Sequence, residues 1–253
     1  MLEINQLFFT KNDCYKKGKK QKVKGVMYHS TGANNPKLSR YVGPDDGTLG
    51  PNRNNNHWNQ PQPGGRKVCV HGFIGKDKNG KVRLYQTLPW DIEGWHSGGS
   101  ANTGYVGIEI CEDDLQDKNY FLECISILNN LTAFLSKKYQ FNINNKSVIS
   151  HSEGYKLGIA SNHGDIEHWG RKFGYTMDNA RKDIKVEDTW IKYSEGWWYQ
   201  FKDGSYPKNK WEKIKGKWYY FDNKGYMETG WIKDKGKWYY LKDSGAMATG
   251  WTE

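Results

Sequence analysis

Residues 23–34 read V-K-G-V-M-Y-H-S-T-G-A-N, an apolar stretch that runs into a polar, glycine-containing loop. The short apolar run predicts a strand over Val23–His29. His29 then ends this strand and opens the loop. An imidazole at the end of a strand lies where α/β sheets usually bind ligands.

Four further segments also read as strands. They are Val68–Ile74, Val82–Thr87, Val106–Cys111 and Val148–Ser150, and a turn at 77–80 separates the first two. Apolar residues recur at helical spacing from Phe121 to Leu135, which predicts an amphipathic helix over about 118–139. A short helix is expected over 178–185. Strands mixed with helices indicate an α/β fold with a central mixed sheet flanked by helices.

The end of the chain repeats with a period near 20 residues. One series of tryptophans is spaced by 21, 20 and 20 residues: Trp190, Trp211, Trp231 and Trp251. A second series is spaced by 20 residues: Trp198, Trp218 and Trp238. Each repeat has two aromatic strands around a glycine turn, which predicts one β-hairpin per repeat. Because one hairpin cannot bury its own aromatic face, the hairpins must stack into a small C-terminal solenoid. The predicted organisation is a domain at 1–185, a linker at 186–189 and the repeats at 190–253.

Composition and charge limit the classes of partner. The net charge of +10 suits a polyanion such as nucleic acid, an anionic membrane or a cell wall. Acidic residues interrupt the aromatic repeats, which argues against nucleic acid: Glu212, Asp222, Glu228, Asp234 and Asp243. No apolar stretch is long enough to span a bilayer, so membrane insertion is not expected. The lysine-rich run at 16–20 reads as a solvated loop.

The cysteines and the N-terminal residues bear on where the protein works. Cys14, Cys69, Cys111 and Cys124 are scattered and show no C-x-x-C pair, so buried free thiols are expected. The first residues lack the basic start and apolar core of a signal peptide. We therefore expect synthesis in the cytoplasm, with release by another agent if the protein acts outside a cell.

Several polar side chains could form a catalytic site. His151 follows a strand as His29 does, and Ser161–Asp165 supplies a third polar group nearby in sequence. Two imidazoles and one carboxylate form a three-ligand zinc set that leaves a position open for water. Glu109 lies within an apolar strand, and the residues alone favour a solvent-facing carboxylate there.

Five segments, in this order, resemble the type 2 N-acetylmuramoyl-L-alanine amidases. They are Val26–Thr31, Val70–Phe73, Gly94–Gly98, Tyr105–Ile110 and Ile149–His151, and the resemblance covers nearly all of residues 20–185. It implies a peptidoglycan hydrolase that cleaves the amide between N-acetylmuramic acid and L-alanine, with a Zn²⁺ cofactor. The family includes bacteriophage endolysins.

The resemblance also implies roles for individual residues. His29 and His151 correspond to the two zinc imidazoles, and Glu109 to the catalytic acid and base. Trp95 and His96 correspond to residues of the substrate groove, and His71 to a substrate contact or a support behind the ligands.

The third zinc ligand departs from the family pattern, which often ends in Lys, one spacer, then Asp or Cys. This chain has His163-Gly164-Asp165 at that place. Asp165 is the expected ligand, with His163 in the lysine position to stabilise the oxyanion. Because the stretch from His151 to Asp165 is longer than usual, His163 or His168 remains an alternative third ligand.

The repeats resemble choline-binding repeats of pneumococcal and clostridial cell-wall proteins. Aromatic faces hold a quaternary ammonium group by cation–π attraction. Cages are expected where consecutive hairpins meet, and the candidate residues are Trp190, Trp198, Trp211, Trp218, Tyr220, Trp231, Trp238 and Tyr240. Either Tyr239 or Tyr240 would complete one cage, and Tyr219 or Tyr220 another. Some of these rings must instead form the solenoid core.

The expected function is therefore an endolysin-like amidase that acts on the bacterial wall after release from the host cytoplasm. Its expected partners are peptidoglycan and choline-decorated teichoic acid, and the repeats could join two chains into a homodimer. The alternative function is a non-catalytic wall-binding protein that recognises peptidoglycan and choline.

Overall fold

The chain forms two compact units in the computed structural model, which describes residues 1–250. One unit runs from Glu3 to Val186, and the other joins Met1–Leu2 to the chain from Glu187 onward. Trp251, counted above in the repeat series, lies outside the described residues.

The larger unit mixes short strands with five helices. The chain starts with β1 (Leu2–Glu3) and β2 (Asn5–Gln6), and then follow α1 (Asp13–Lys17), β3 (Gly25–Ser30), β4 (Gly72–Lys76), β5 (Val82–Gln86), β6 (Tyr105–Ile110), α2 (Lys118–Tyr139), β7 (Val148–Ser150), α3 (His151–Lys156), α4 (Asp165–Lys172) and α5 (Met177–Asp183).

The central sheet has six strands in the order β2-β5-β4-β6-β3-β7. Only β4 and β5 pair antiparallel, so the predicted mixed sheet is confirmed. Strands β6, β3 and β7 are parallel neighbours, and His29 on β3 lies opposite Glu109 on β6. Because parallel strands end at the same edge, the polar residues that end these three strands are brought together.

Local sequence explains the helices that adjoin this edge. Helix α2 covers the predicted range; Asp117 caps its first turn, and Gln140 ends it in the left-handed conformation. Ser150 and Glu153 form a capping box, so α3 starts at His151, directly after β7. Helices α3 and α4 were not predicted.

Some predicted strand boundaries were wrong. The strand expected over Val23–His29 is β3, which runs from Gly25 to Ser30. The strand expected over Val68–Ile74 starts only at Gly72, because Cys69 pairs in isolation with Trp95 from a distant loop. Thr189, the last residue of the predicted linker, lies in the first repeat strand.

The packing of Trp169 makes it a test of how α4 is held. Its side chain is fully buried, and its ring centroid lies 5.0 Å from that of Phe121 on α2. We expect Trp169→Ala to lower the free energy of unfolding by about 3–5 kcal/mol, because a large cavity is left. Trp169→Phe should cost much less, since the indole Nε1 has no hydrogen-bond partner among residues 1–250. Chemical denaturation followed by far-UV circular dichroism measures both, and equal losses would contradict the packing argument.

The smaller unit consists of hairpins. They are β8 (Thr189–Tyr193) with β9 (Gly196–Gln200), β10 (Lys210–Ile214) with β11 (Lys217–Phe221), and β12 (Gly230–Asp234) with β13 (Lys237–Leu241). The predicted hairpin per repeat is confirmed. Phe221 is fully buried, with Tyr219 packed beside it, whereas Trp218 is exposed, as strand alternation requires.

All four cysteines are buried free thiols, as expected. Among the helices within residues 1–250, none combines the length and apolarity that crossing a membrane would need.

Candidate active site

A cavity of about 720 Å³ lies at the edge of the sheet where β3 and β6 end. Its buried lining includes His29 and His151, with the carboxylates of Glu109 and Asp165 beside them. The exposed part of its lining includes three cationic side chains, Lys17, Arg66 and Lys67, which we call the cationic rim.

Three potential metal ligands meet in this cavity. Asp165 Oδ2 lies 2.9 Å from His29 Nδ1 and 2.8 Å from His151 Nδ1, and the two nitrogens are 3.2 Å apart. In a tetrahedral zinc site with bonds of about 2.0–2.1 Å, ligand atoms lie about 3.3 Å apart. The three side chains therefore fit a zinc ion, and they are the only such cluster found among residues 1–250.

Hydrogen bonds fix which ring nitrogens carry protons. His96 Nε2 lies 3.2 Å from the Tyr105 carbonyl oxygen, which can only accept, so this nitrogen donates. His96 Nδ1 is then an acceptor and receives the Nε2 proton of His29 at 3.0 Å. On the other side, His151 Nε2 contacts Ser161 Oγ at 3.2 Å. His29 thus turns its Nδ1 lone pair towards Asp165. Ser161 Oγ donates to the Ser97 carbonyl oxygen at 3.1 Å and can accept the Nε2 proton of His151, which then also turns its Nδ1 lone pair towards Asp165. A cation between the three atoms would satisfy this arrangement.

Burial favours the neutral imidazoles of His29 and His96. It lowers the pKa of His29 and, more strongly, the pKa of His96, where the nearby His29 and His71 act in the same direction. A neutral imidazole is the form that binds a metal.

Asp165 is the first residue of α4, so the contacts that fix α4 also fix the position of Asp165. Its φ of +34° is rare for a residue with a side chain, and such strain is concentrated at functional sites. Glu167 accepts a hydrogen bond from Ser150 Oγ at 2.5 Å, and His168 Nε2 lies 3.1 Å from Glu112. His168 is therefore occupied by Glu112 and does not join the His29 cluster.

Glu109 lies beside the cluster in the cavity wall, where it is half-buried. Its Oε2 is buried without a hydrogen-bond partner among the described residues. Burial, together with the charges of Asp165 and Glu112, raises the pKa of Glu109 well above its usual value. The solvent-facing orientation favoured by the residues alone was wrong: the side chain points into the cavity. A carboxyl group with a raised pKa is suited to transfer protons near neutral pH.

Comparison with known proteins identifies the fold and the family. Residues 19–167, more than half of the chain, match the family model described as N-acetylmuramoyl-L-alanine amidase. The chain belongs to this amidase family. Residues 208–250 also match the choline-binding repeat.

Individual relatives agree with both assignments. The chain is 31% identical over 174 residues to a lytic amidase of Streptococcus pneumoniae phage HB-3, covering 64% of this chain and 54% of the relative. Its repeats are 63% identical over 41 residues to a lysozyme of Streptococcus phage Cp-1, covering 16% and 12%. The chain thus spans about half the length, or less, of these curated relatives.

Solved structures support the fold of the chain. The Staphylococcus aureus hydrolase AmiA superposes with a TM-score of 0.50 at 19% identity, over 73% of this chain and 81% of that one. A mutant endolysin from Bacillus subtilis gives 0.50 at 22% identity, over 73% and 100%.

The predicted groove residues of this chain fall into two groups. Trp95, His96 and His163 line the cavity as expected, and the exposed His163 has its ring centroid 4.7 Å from that of His151. His71 does not reach the cavity. It is fully buried, accepts a hydrogen bond from the Gly107 amide at 3.0 Å and donates one to the Ile92 carbonyl at 2.8 Å. This position contradicts the predicted substrate contact. Of the two predicted roles, only that of a support remains, behind His96, whose ring centroid lies 5.9 Å from that of His71.

Other residues that line the cavity could not be predicted from the sequence. Ser161 belongs to a motif that was singled out, but only for its histidine and aspartate. Lys17 belongs to the run that was read as a solvated loop, and it ends α1 at the cavity. Trp58, Arg66 and Lys67 also line the cavity and gave no signal, because they come from an irregular segment.

The aromatic rings of the choline-binding repeats meet between and within hairpins. Between hairpins, Trp190 contacts Tyr219 at 5.1 Å and Trp211 contacts Tyr239 at 4.9 Å, measured between ring centroids. Within hairpins, the same kind of contact joins Trp211 to Tyr220 and Trp231 to Tyr240. Trp198 instead contacts Tyr206 with the rings tilted by 45°, and Trp218 and Trp238 are exposed. Of the alternatives left open, the structure pairs Tyr219 and Tyr239 with the preceding hairpin.

Proposed function

We propose that this chain hydrolyses the amide between the lactyl group of N-acetylmuramic acid and L-alanine in peptidoglycan, with Zn²⁺ held by His29, His151 and Asp165. The observation that carries the proposal is the convergence of three ligand atoms within 3.2 Å of one another, beside a Glu109 whose Oε2 is buried. Membership of the amidase family supports the reaction class.

The residues of the cavity divide the work of this reaction. A bound Zn²⁺ would polarise the scissile carbonyl and lower the pKa of a water molecule to about 7. Glu109 takes a proton from the attacking water and passes it to the alanine nitrogen as the C–N bond breaks. His163, exposed at the cavity, stabilises the negative charge that develops on the carbonyl oxygen. His96 holds His29 in the ligand tautomer, and Trp95 supplies an apolar wall for the sugar and peptide.

The repeats supply the second part of the function. We propose that they hold the enzyme on choline-decorated teichoic acid. Residues 208–250 match the choline-binding repeat, and the Trp211–Tyr239 ring contact between hairpins lies within this range. The chain is then made in the cytoplasm of a bacterial host and acts on the wall after release, in keeping with its phage relatives.

The inter-hairpin pair gives a testable prediction. We expect Trp211→Ala and Tyr239→Ala each to weaken choline binding by about 3- to 30-fold, because a cation–π contact contributes about 0.5–2 kcal/mol. Trp211→Phe keeps an aromatic face and should bind better than Trp211→Ala. Calorimetric titration with choline measures this, and unchanged affinity in both alanine variants would contradict the assignment.

Metal content and product analysis test the proposed function. Purified protein should contain one zinc per chain, and digestion of choline-containing walls should release new L-alanine amino groups but no new reducing sugar ends. A chelator should stop the reaction, and added zinc should restore it. Walls that are bound but not cut by the zinc-loaded protein would instead establish the non-catalytic binding protein.

A further inference from the structure

The cationic rim has no ionic partner of its own. Lys17, Arg66 and Lys67 are exposed, line the cavity and form no salt bridge among residues 1–250. Glu93 interacts electrostatically with Lys17. Its carboxylate, however, already forms a salt bridge with Lys19 at 2.7 Å and accepts a hydrogen bond from Thr103. The rim therefore has charge available for a ligand.

The fold gathers the rim around Trp95. Lys17 Nζ lies 5.8 Å from the centre of the Trp95 ring. The Trp95 backbone exchanges two hydrogen bonds with Cys69, 2.9 and 3.0 Å long, and Arg66 and Lys67, which precede Cys69, line the same cavity as Trp95. Cations from two distant segments thus converge on one wall of the cavity.

The cavity is consequently polarised. Its deep end holds the carboxylates of Asp165 and Glu109, with Glu112 close to Glu109. A bound Zn²⁺ would offset the carboxylates of the deep end, whereas the charge of the cationic rim has no counter-charge. A negatively charged substrate group that lies away from the bond to be cut is therefore attracted to the rim.

We propose that the cationic rim binds the free α-carboxylate of the second stem residue, D-glutamate, and that the enzyme thereby prefers stems in which this group is not amidated. The inference rests on the proposed amidase function, which places L-alanine at the deep end. The α-carboxylate of D-glutamate is the first negative charge after the scissile amide. One extended residue spans at most about 3.3–3.6 Å, so this charge stays within reach of a cavity of this size.

Two soluble substrates that differ in one group test the inference: MurNAc-L-Ala-D-Glu-L-Lys and MurNAc-L-Ala-D-isoGln-L-Lys. We expect the wild-type kcat/KM to be about tenfold higher for the acid, because exposed ion pairs contribute up to about 1 kcal/mol each. The difference should lie in KM, since the rim does not touch the reacting atoms. Lys17→Gln/Arg66→Gln/Lys67→Gln should bring the ratio near one. The control Lys11→Gln/Lys16→Gln/Lys22→Gln removes the same charge from exposed positions outside the cavity lining and should keep the ratio.

The outcomes separate this inference from the proposed function. Equal cleavage of both substrates by the wild type would overturn the inference and leave the amidase standing, as would a preference that survives in the rim variant. A rim variant that loses only whole-wall binding would also overturn it, in favour of teichoic acid phosphate as the ligand. If neither substrate is cut, calorimetry with the two intact substrates decides: tighter binding of the acid, lost in the rim variant, upholds the carboxylate site while the amidase proposal fails.

Discussion

Glu109→Gln is expected to reduce amide cleavage by about 100- to 10,000-fold, the usual contribution of a positioned acid or base. The substitution preserves the shape of a side chain whose Oε2 is buried and unpaired among the described residues. Glutamine cannot take a proton from water or give one to the alanine nitrogen. The zinc content should not change, because Glu109 is not one of the three clustered ligands. Product release from choline-containing walls and metal analysis on the same preparation measure the two effects.

A neighbouring carboxylate provides the control. Asp114 is exposed, lies outside the cavity lining and has a φ of +72°, a conformation that asparagine tolerates well. Asp114→Asn should therefore keep full activity. Retained cleavage in Glu109→Gln would refute the proton-transfer role, and loss of zinc in that variant would show that Glu109 acts on the metal instead.

Asp165→Ala should raise the dissociation constant for zinc by more than about 100-fold, since loss of a direct ligand must exceed the 10–100-fold effect of an outer partner. The reason is geometric: Oδ2 lies within 3 Å of both histidine nitrogens in the cluster. Wall cleavage should be lost with the metal. Competition against a chromogenic chelator gives the affinity directly and does not depend on activity.

Variants of His163 and His168, the two alternative third ligands, serve as comparisons for Asp165→Ala. His163→Ala should keep zinc but slow cleavage, because His163 lies outside the cluster and faces the cavity. His168→Ala should also keep zinc, with a smaller loss of affinity through the release of Glu112. Zinc lost from His163→Ala but kept in Asp165→Ala would exchange the two assignments.

Local periodicity accounts for what the sequence predicted well. Helix 118–139 and strand 148–150 have the bounds that were expected, because each has a regular apolar pattern and a capping residue or a histidine at its end. The pairing of His29 with His151 was also foreseen, since parallel strands end at one edge. Their meeting with Asp165 required α4, whose short length left no clear periodic signal.

Other features depend on contacts far apart in sequence and could not be read locally. The orientation of Glu109 follows from its place opposite His29 on a neighbouring strand. His71 looked like a groove residue because of its motif, but it lies just before β4 and its ring is fully buried. The cationic rim joins α1 to an irregular segment through Trp95, and no repeat or period marks such a meeting.

The four buried thiols bear on how the protein tolerates a change of redox environment. A hydrogen bond with Cys14 and burial raise the pKa of Cys69, and burial raises that of Cys111 and Cys124. Oxidants and disulfides react with the thiolate, and at these three sites that form is scarce and shielded from solvent. We therefore expect these three thiols to stay reduced when the surroundings change from reducing to oxidising, so that activity should not require an added reductant.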